Sequence, residues 1–105
     1  TRRQLIYYLK VLDHGTGQPI GRLVDITVEG MLLVSSQPIP KNTVYKLQVD
    51  LPDGLNARPP IILEARSLWS KPDINTDFID TGFIFITIAP SDLQTITELI
   101  AEYEL

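Results

Sequence analysis

The sequence has 105 residues, a length that suits one domain with a modest hydrophobic core. Hydrophobic residues make up 44% of the chain and charged residues 21%, which argues against disorder, and no apolar run approaches the roughly 18 residues that a membrane span requires. A net charge of −4 disfavours long nucleic acid as a partner, and the absence of cysteine excludes disulfides and thiolate chemistry.

Six short segments have the composition of β-strands, and turn-forming residues separate most of them. The clearest is segment 44–51, in which Tyr45, Leu47 and Val49 alternate with polar residues. This pattern is typical of a strand with one buried face in an antiparallel sheet. The predicted strands comprise residues 5–12, 20–26, 31–35, 44–51, 61–70 and 80–88.

The end of the chain has a helical period instead. Ser91 is a favourable N-cap residue, and Gln94 stands at the capping-box distance from it. The apolar residues that fall on one face at helical spacing are Leu93, Ile96, Leu99, Ile100 and Tyr103. Six short antiparallel strands protect their edges best by closing on themselves. The sequence therefore predicts an all-β fold, a six-stranded antiparallel barrel, with this C-terminal helix packed on it.

The stretch GRLVDITVEGMLLVS places an acid, a hydroxyl and a glycine at fixed spacing, as Asp25, Thr27 and Gly30. Together with SLWS and the closing strand and helix, it resembles the PilZ domain, the bacterial receptor module for cyclic di-GMP. The resemblance covers nearly the whole chain. It implies a single PilZ-like domain over residues 1–105, whole or as a fragment of a longer chain. It also implies a cytoplasmic signalling protein. From the residues themselves, with no cysteine and one histidine, we expect no enzyme, no cofactor and no metal.

The two ligand motifs of the PilZ family are only partly present. The second motif, [DN]-x-S-x-x-G, reads DITVEG at residues 25–30, with threonine in the serine position. The first motif, R-x-x-x-R, is half present, because isoleucine and tyrosine stand four residues after Arg2 and Arg3. Arg3 can still be the second arginine of a motif whose first arginine lies before Thr1.

The resemblance implies that Arg2, Arg3, Asp25, Thr27 and Gly30 bind the nucleotide. Guanidinium groups suit the two phosphodiesters and the acceptor edge of guanine. Asp25 accepts from guanine N–H groups, and Thr27 bonds a base edge or a phosphate. Gly30 allows close backbone approach or a positive φ. A charge-assisted hydrogen bond contributes about 1.5–3 kcal/mol, so the loss of one arginine weakens binding roughly ten- to a hundredfold.

Two functions of different class remain open from the sequence. In the first, cyclic di-GMP orders the arginine-bearing segment against the DITVEG turn, and the change is relayed to a protein partner or neighbouring domain. In the second, the domain has lost the nucleotide and acts as a protein-interaction or structural module. The incomplete arginine motif favours the second function, and the intact spacing of Asp25, Thr27 and Gly30 favours the first. We expect nucleotide binding at the level of the family.

Other chemistry has little support in the sequence. His14 is the only histidine, so neither a histidine metal cluster nor a Ser-His triad can form. Segment 73–77 begins like a calcium loop, but the sixth and twelfth positions are Phe78 and Ile84 instead of glycine and glutamate. The sequence therefore predicts no metal site and no catalytic centre.

Three aromatic residues of the last two strands allow two interpretations. Trp69, Phe83 and Phe85 form either a platform on which a base stacks or part of the hydrophobic core. Because the surrounding strands are apolar, core packing is the prediction.

Overall fold

The computed structural model describes residues 9–51 and 59–103. It consists of β1 (Leu9–Asp13), β2 (Pro19–Ile26), β3 (Gly30–Ser35), β4 (Val44–Val49), β5 (Ile61–Pro72), β6 (Ile79–Thr87) and α1 (Pro90–Tyr103). The six predicted strands and the helix are confirmed, although residues 5–8 of the first predicted strand lie outside the described residues. No helix in the described ranges is long and apolar enough to cross a bilayer.

The six strands close into a barrel, as predicted. Each strand pairs antiparallel with its neighbours in the order β1-β2-β3-β6-β5-β4, and β4 pairs back with β1. Alternate residues of the strands point into the barrel and form one hydrophobic core. Its fully buried members include Leu23, Leu33, Leu47 and Leu63, which come from four different strands.

The start of α1 differs from the prediction. The helix begins at Pro90, and the Ala89 carbonyl accepts hydrogen bonds from the amides of Asp92 and Leu93, both at 3.0 Å. Proline fits the first helical position because its φ is fixed near the helical value and its missing N–H would have no partner there. Ser91 therefore lies within the first turn, and the predicted capping box at this residue is wrong.

The apolar face of α1 packs against the barrel. Ile96 is fully buried and belongs to the barrel core, and Leu93 is half-buried. Both positions agree with the predicted helical spacing. The side chains of Leu99, Ile100 and Tyr103 lie outside what the structure describes.

A β-bulge in β5 decides which residues of this strand reach the surface. Up to Ser67, alternate residues such as Leu63 and Ala65 face the core. The register then shifts between Ser67 and Trp69, because the extra residue Leu68 has no partner of its own on β6. As a result, Leu68 and Trp69 are successive residues on the outer surface.

Candidate ligand-binding site

The DITVEG segment folds into a tight turn that Thr27 closes from within. The Thr27 amide donates to the Gly30 carbonyl at 2.8 Å, and the Thr27 Oγ1 accepts from the amides of Glu29 and Gly30, both at 3.2 Å. The Thr27 hydroxyl lies 3.5 Å from the Gly30 carbonyl oxygen, at the limit of a hydrogen bond. The acceptor capacity of this hydroxyl is used by the turn, and its O–H makes only this long contact, which a ligand acceptor at a shorter distance can replace.

Gly30 is required by a close approach between two backbones. It is paired with Ile84 on β6, and a Cβ at this position would overlap the carbonyl oxygen of Phe83. Of the two sequence-based explanations, close approach is therefore the correct one, since Gly17 is the glycine with a positive φ in the described ranges. The Glu29 carbonyl accepts from the Phe85 amide at 2.9 Å, which fixes the turn on the β6 side of the barrel.

Asp25 presents an exposed carboxylate beside this turn. Its Oδ1 accepts from the Ile26 amide at 2.9 Å, and no described residue donates to Oδ2. Strand pairing places Asp25 opposite Leu32, Leu32 opposite Gly82, and Gly82 opposite Trp69. This row across four strands brings the acid of the motif and the tryptophan to the same outer face.

Trp69 lies on the outer surface of the barrel, so the predicted core position of this residue is wrong. Its side chain is 41% exposed and packs directly on Gly82, where a Cβ would collide with the indole. The Lys71 Nζ lies 5.5 Å from the centre of the indole ring, in a cation–π contact. Phe83 is buried and Phe85 half-buried against the core, as predicted for these two residues.

The turn and the tryptophan line one groove of about 440 Å³, a size typical of small-molecule sites. Its walls combine motif residues with apolar residues from β3, β5 and β6. The residues that line the groove include Asp25, Thr27, Glu29, Gly30, Trp69 and Ile84. Two carboxylates therefore stand at one end of the groove, and an aromatic ring lies on its wall.

The structure brings together Asp25, Thr27 and Gly30, three of the five predicted ligand residues. Arg2 and Arg3 lie outside the described residues. The apolar composition of the surrounding strands assigned Trp69 to the core, and for this reason the predicted site did not include this residue. The available signal was the SLWS segment itself, in which two successive apolar residues, Leu68 and Trp69, stand between two serines and interrupt the alternation of a strand with one buried face.

The groove suits a planar polar ligand better than a metal ion. Carboxylates accept hydrogen bonds from the N–H groups on the edge of a base, and an exposed indole provides a stacking surface. In the described part of the chain, no group of three His, Cys, Asp or Glu side chains is placed to hold a metal.

The described residues thus form a small closed antiparallel barrel with a C-terminal helix, and a polar turn lies beside an exposed tryptophan on its outer face. The sequence matches the PilZ domain family over residues 2–102, and the chain belongs to this family. Domains of this family act as receptors for cyclic di-GMP or as adaptors.

Comparison with solved structures supports the same fold. The structure of the Bacillus subtilis inhibitor of motility, MotI/DgrA, superposes with a TM-score of 0.68 at 19% sequence identity. The match covers 97% of this chain and 50% of that one, so the chain spans about half the length of MotI/DgrA. No curated protein sequence matches the chain at a significant level.

Proposed function

We propose that this PilZ domain binds cyclic di-GMP in the groove between the DITVEG turn and Trp69, and that binding is relayed to a protein partner or neighbouring domain. In this proposal the domain is a cytoplasmic receptor with no catalytic activity of its own. The observation that carries the proposal is the convergence of Asp25, Thr27 and Trp69 on one groove. Two of these residues belong to a family ligand motif, and the third arrives there independently through the bulge in β5.

The chemistry of guanine matches this end of the groove. Guanine carries N–H donors on its base-pairing edge, and the Asp25 Oδ2, to which no described residue donates, accepts from such donors. The O–H of Thr27 donates to a carbonyl or phosphate oxygen of the same ligand. Glu29 adds a second carboxylate nearby, which favours the donor edge of a base over a phosphate at this end.

Trp69 supplies a stacking surface once Lys71 moves aside. An exposed cation–π contact such as that of Lys71 contributes about 0.5–1 kcal/mol. Stacking of a base on an aromatic side chain contributes about 1–3 kcal/mol. Exchange of the ammonium for a base is therefore favourable, and it leaves the charge of Lys71 close to the ligand phosphates.

The remaining part of the proposal concerns Arg2 and Arg3. Their guanidinium groups are of the type that binds phosphate in a two-pronged manner. In the proposal they fold over the dinucleotide from the segment that precedes β1. Because only half of the R-x-x-x-R motif lies within the sequence, we expect binding to be weaker than for a complete two-arginine site.

Titration calorimetry with cyclic di-GMP tests the proposal. Asp25→Ala removes the acceptor for the base edge, and the expected loss is about 1.5–3 kcal/mol of binding free energy. Asp77→Ala is the matched control, because Asp77 is an exposed acid in the loop between β5 and β6 and does not line the groove. Thr27→Ser, which restores the usual family residue, should leave the affinity unchanged or slightly higher.

Absence of heat at high ligand concentration, from a folded protein and from a version extended upstream of Thr1, contradicts the proposal. An equal loss of affinity in the Asp25 and Asp77 variants contradicts the placement of the base at the turn.

A second candidate function is a protein-interaction module without nucleotide. Its specific support is the run of exposed apolar side chains on the outer faces of β5 and β6, which are Leu68, Trp69, Ile84 and Ile86. Exposed apolar surface of this kind commonly marks an interaction site. The calorimetric result described above separates the two functions.

A further inference from the structure

None of the described residues that line the groove has a basic side chain. Its charged lining residues are Asp25 and Glu29, both acidic. A cyclic dinucleotide carries two phosphodiester charges, and these repel carboxylates unless cations lie between or beside them. The positive charge therefore has to come from residues next to the groove or from the segment before β1.

Arg66 stands beside the groove on β5. Strand pairing aligns it directly with Ile84 of β6, and Ile84 directly with Gly30 at the end of the DITVEG turn. Two strand spacings, about 9.5 Å, separate the backbones of Arg66 and Gly30. An extended arginine side chain covers most of this distance across Ile84, whose own side chain lines the groove.

The side chain of Arg66 is exposed and has no hydrogen-bond or ion-pair partner among the described residues. It alternates with the buried Ala65 and Ser67, so it points away from the core. Three other described basic residues have different surroundings: the Lys71 ammonium lies over the Trp69 ring, and Lys10 and Arg22 line a separate groove that includes residues of β1, β2 and β3.

A guanidinium at this position has the chemistry that the ligand requires. It binds a phosphate through two parallel hydrogen bonds, and its methylene stem packs along apolar surface such as Ile84. A lysine ammonium provides charge but not the fork.

We propose that Arg66 is a phosphate-binding residue of this groove and supplies a guanidinium from the barrel wall, in addition to any from the segment before β1. The inference rests on the proposed binding of cyclic di-GMP and adds to it a contact outside both family motifs. It makes the ligand a bridge between the DITVEG turn on one side and β5 on the other.

Calorimetric titration with cyclic di-GMP at two salt concentrations tests this role, with the Arg66→Ala, Arg66→Lys and Lys10→Ala variants. Arg66→Ala should weaken binding about ten- to a hundredfold and should make the affinity less dependent on salt. Arg66→Lys should lie between Arg66→Ala and the unchanged protein. Lys10→Ala removes the same charge from an exposed position on β1, away from the groove, and should leave the affinity unchanged.

The outcomes separate the two levels of the proposal. If the unchanged protein binds cyclic di-GMP and the Arg66→Ala and Lys10→Ala variants bind equally well, the role of Arg66 is overturned and the proposed function stands. If neither the unchanged protein nor the version extended upstream of Thr1 binds cyclic di-GMP, both are overturned. Thermal unfolding of each variant is the control for folding, and we expect no change for Arg66→Ala because the side chain is exposed.

Discussion

The β4 wall of the barrel and the β5–β6 wall distribute their residues in opposite ways. In β4, Leu47 and Val49 point into the core, whereas Lys46, which precedes Leu47, is exposed. At the bulged end of β5, the buried side chain is Ser67, whereas Leu68 on the outside is 49% exposed. In the β4 wall, apolar residues point into the core and polar residues point outward, as in an amphipathic strand. In the bulged part of β5, a polar residue points inward and apolar residues point outward.

The reversal is supported by hydrogen bonds on the buried side. The Ser67 hydroxyl donates to the Pro40 carbonyl at 2.6 Å and accepts from the Thr43 amide at 3.1 Å. Ser70 and Thr81 share a hydrogen bond of 3.0 Å between their hydroxyls. Buried polar groups are tolerated because they are paired in this way. The comparison shows that the apolar side chains on the outer face of β5 and β6 are separate from the folding core. Three of them, Leu68, Trp69 and Ile84, line the groove.

The largest effect that tests this comparison comes from the same substitution on the two walls. Leu47→Ala opens a cavity in the core and should lower the free energy of unfolding by about 2–5 kcal/mol. Leu68→Ala, on the outer surface of β5, should change it by less than about 0.5 kcal/mol. Urea denaturation of both variants measures the difference. Similar losses in the two variants would show that the outer apolar surface is part of the folding core.

A smaller effect distinguishes the two glycines of the groove. Gly30→Ala places a methyl group against the backbone of β6, which cannot move aside easily, and should destabilise the fold by about 1–3 kcal/mol. Gly82→Ala places it against the indole of Trp69, which can rotate into solvent. We therefore expect a smaller loss of stability and a shift in tryptophan fluorescence for Gly82→Ala.

Denaturation curves and emission spectra of the two glycine variants check this prediction, and the signal is unambiguous because the chain contains one tryptophan. Unchanged emission in Gly82→Ala, with a large loss of stability, would indicate that the indole is held rigidly by the wall.

The smallest expected effect is the change in stability with pH that is due to Tyr45 on β4. Burial raises the pKa of the Tyr45 phenol above its ordinary value, and the Asp13 carboxylate raises it further. The unfolded chain therefore loses this proton first as the pH rises above about 10, and the folded state is disfavoured. The stabilising contribution is fully present below that pH and is lost as the pH rises through the folded pKa.

Unfolding measured between neutral pH and strongly alkaline pH should show this loss, and Tyr45→Phe should reduce its slope. The other three tyrosines are the same in both proteins, so a difference between the two slopes is due to Tyr45. Identical slopes in the two proteins would mean that Tyr45 ionises equally easily in the folded and unfolded states.

The barrel was predictable because its strands carry the signals that sequence patterns record. Alternation in β4 and apolar runs elsewhere identified all six strands, and helical spacing identified the face of α1 that buries Ile96. The start of α1 was less predictable, because both Pro90 and Ser91 are favourable at a helix N-terminus and only the backbone hydrogen bonds to Ala89 distinguish them.

The site was predictable only where its residues are contiguous. Asp25, Thr27 and Gly30 lie in one turn, so their spacing alone brings them together. Trp69 was assigned to the core because the surrounding strands are apolar, and the β-bulge that places it on the outer surface is visible only in the pairing of β5 with β6. The position of Arg66 beside the groove follows from its pairing with Ile84. This position could not be predicted, because neither strand by itself determines the register in which the two strands pair.

The closure of the barrel restricts how this domain can associate with other chains. In the described strands, every one has a hydrogen-bonded neighbour on both sides, so none offers a free edge to an incoming peptide. Capture of a partner by strand addition, a common mode of peptide recognition, is therefore closed to the barrel in its folded form. The same property protects it against edge-to-edge aggregation. Recognition of a partner must instead depend on side chains on the barrel surface. Substitutions of these side chains can therefore change the partner without any change in the backbone.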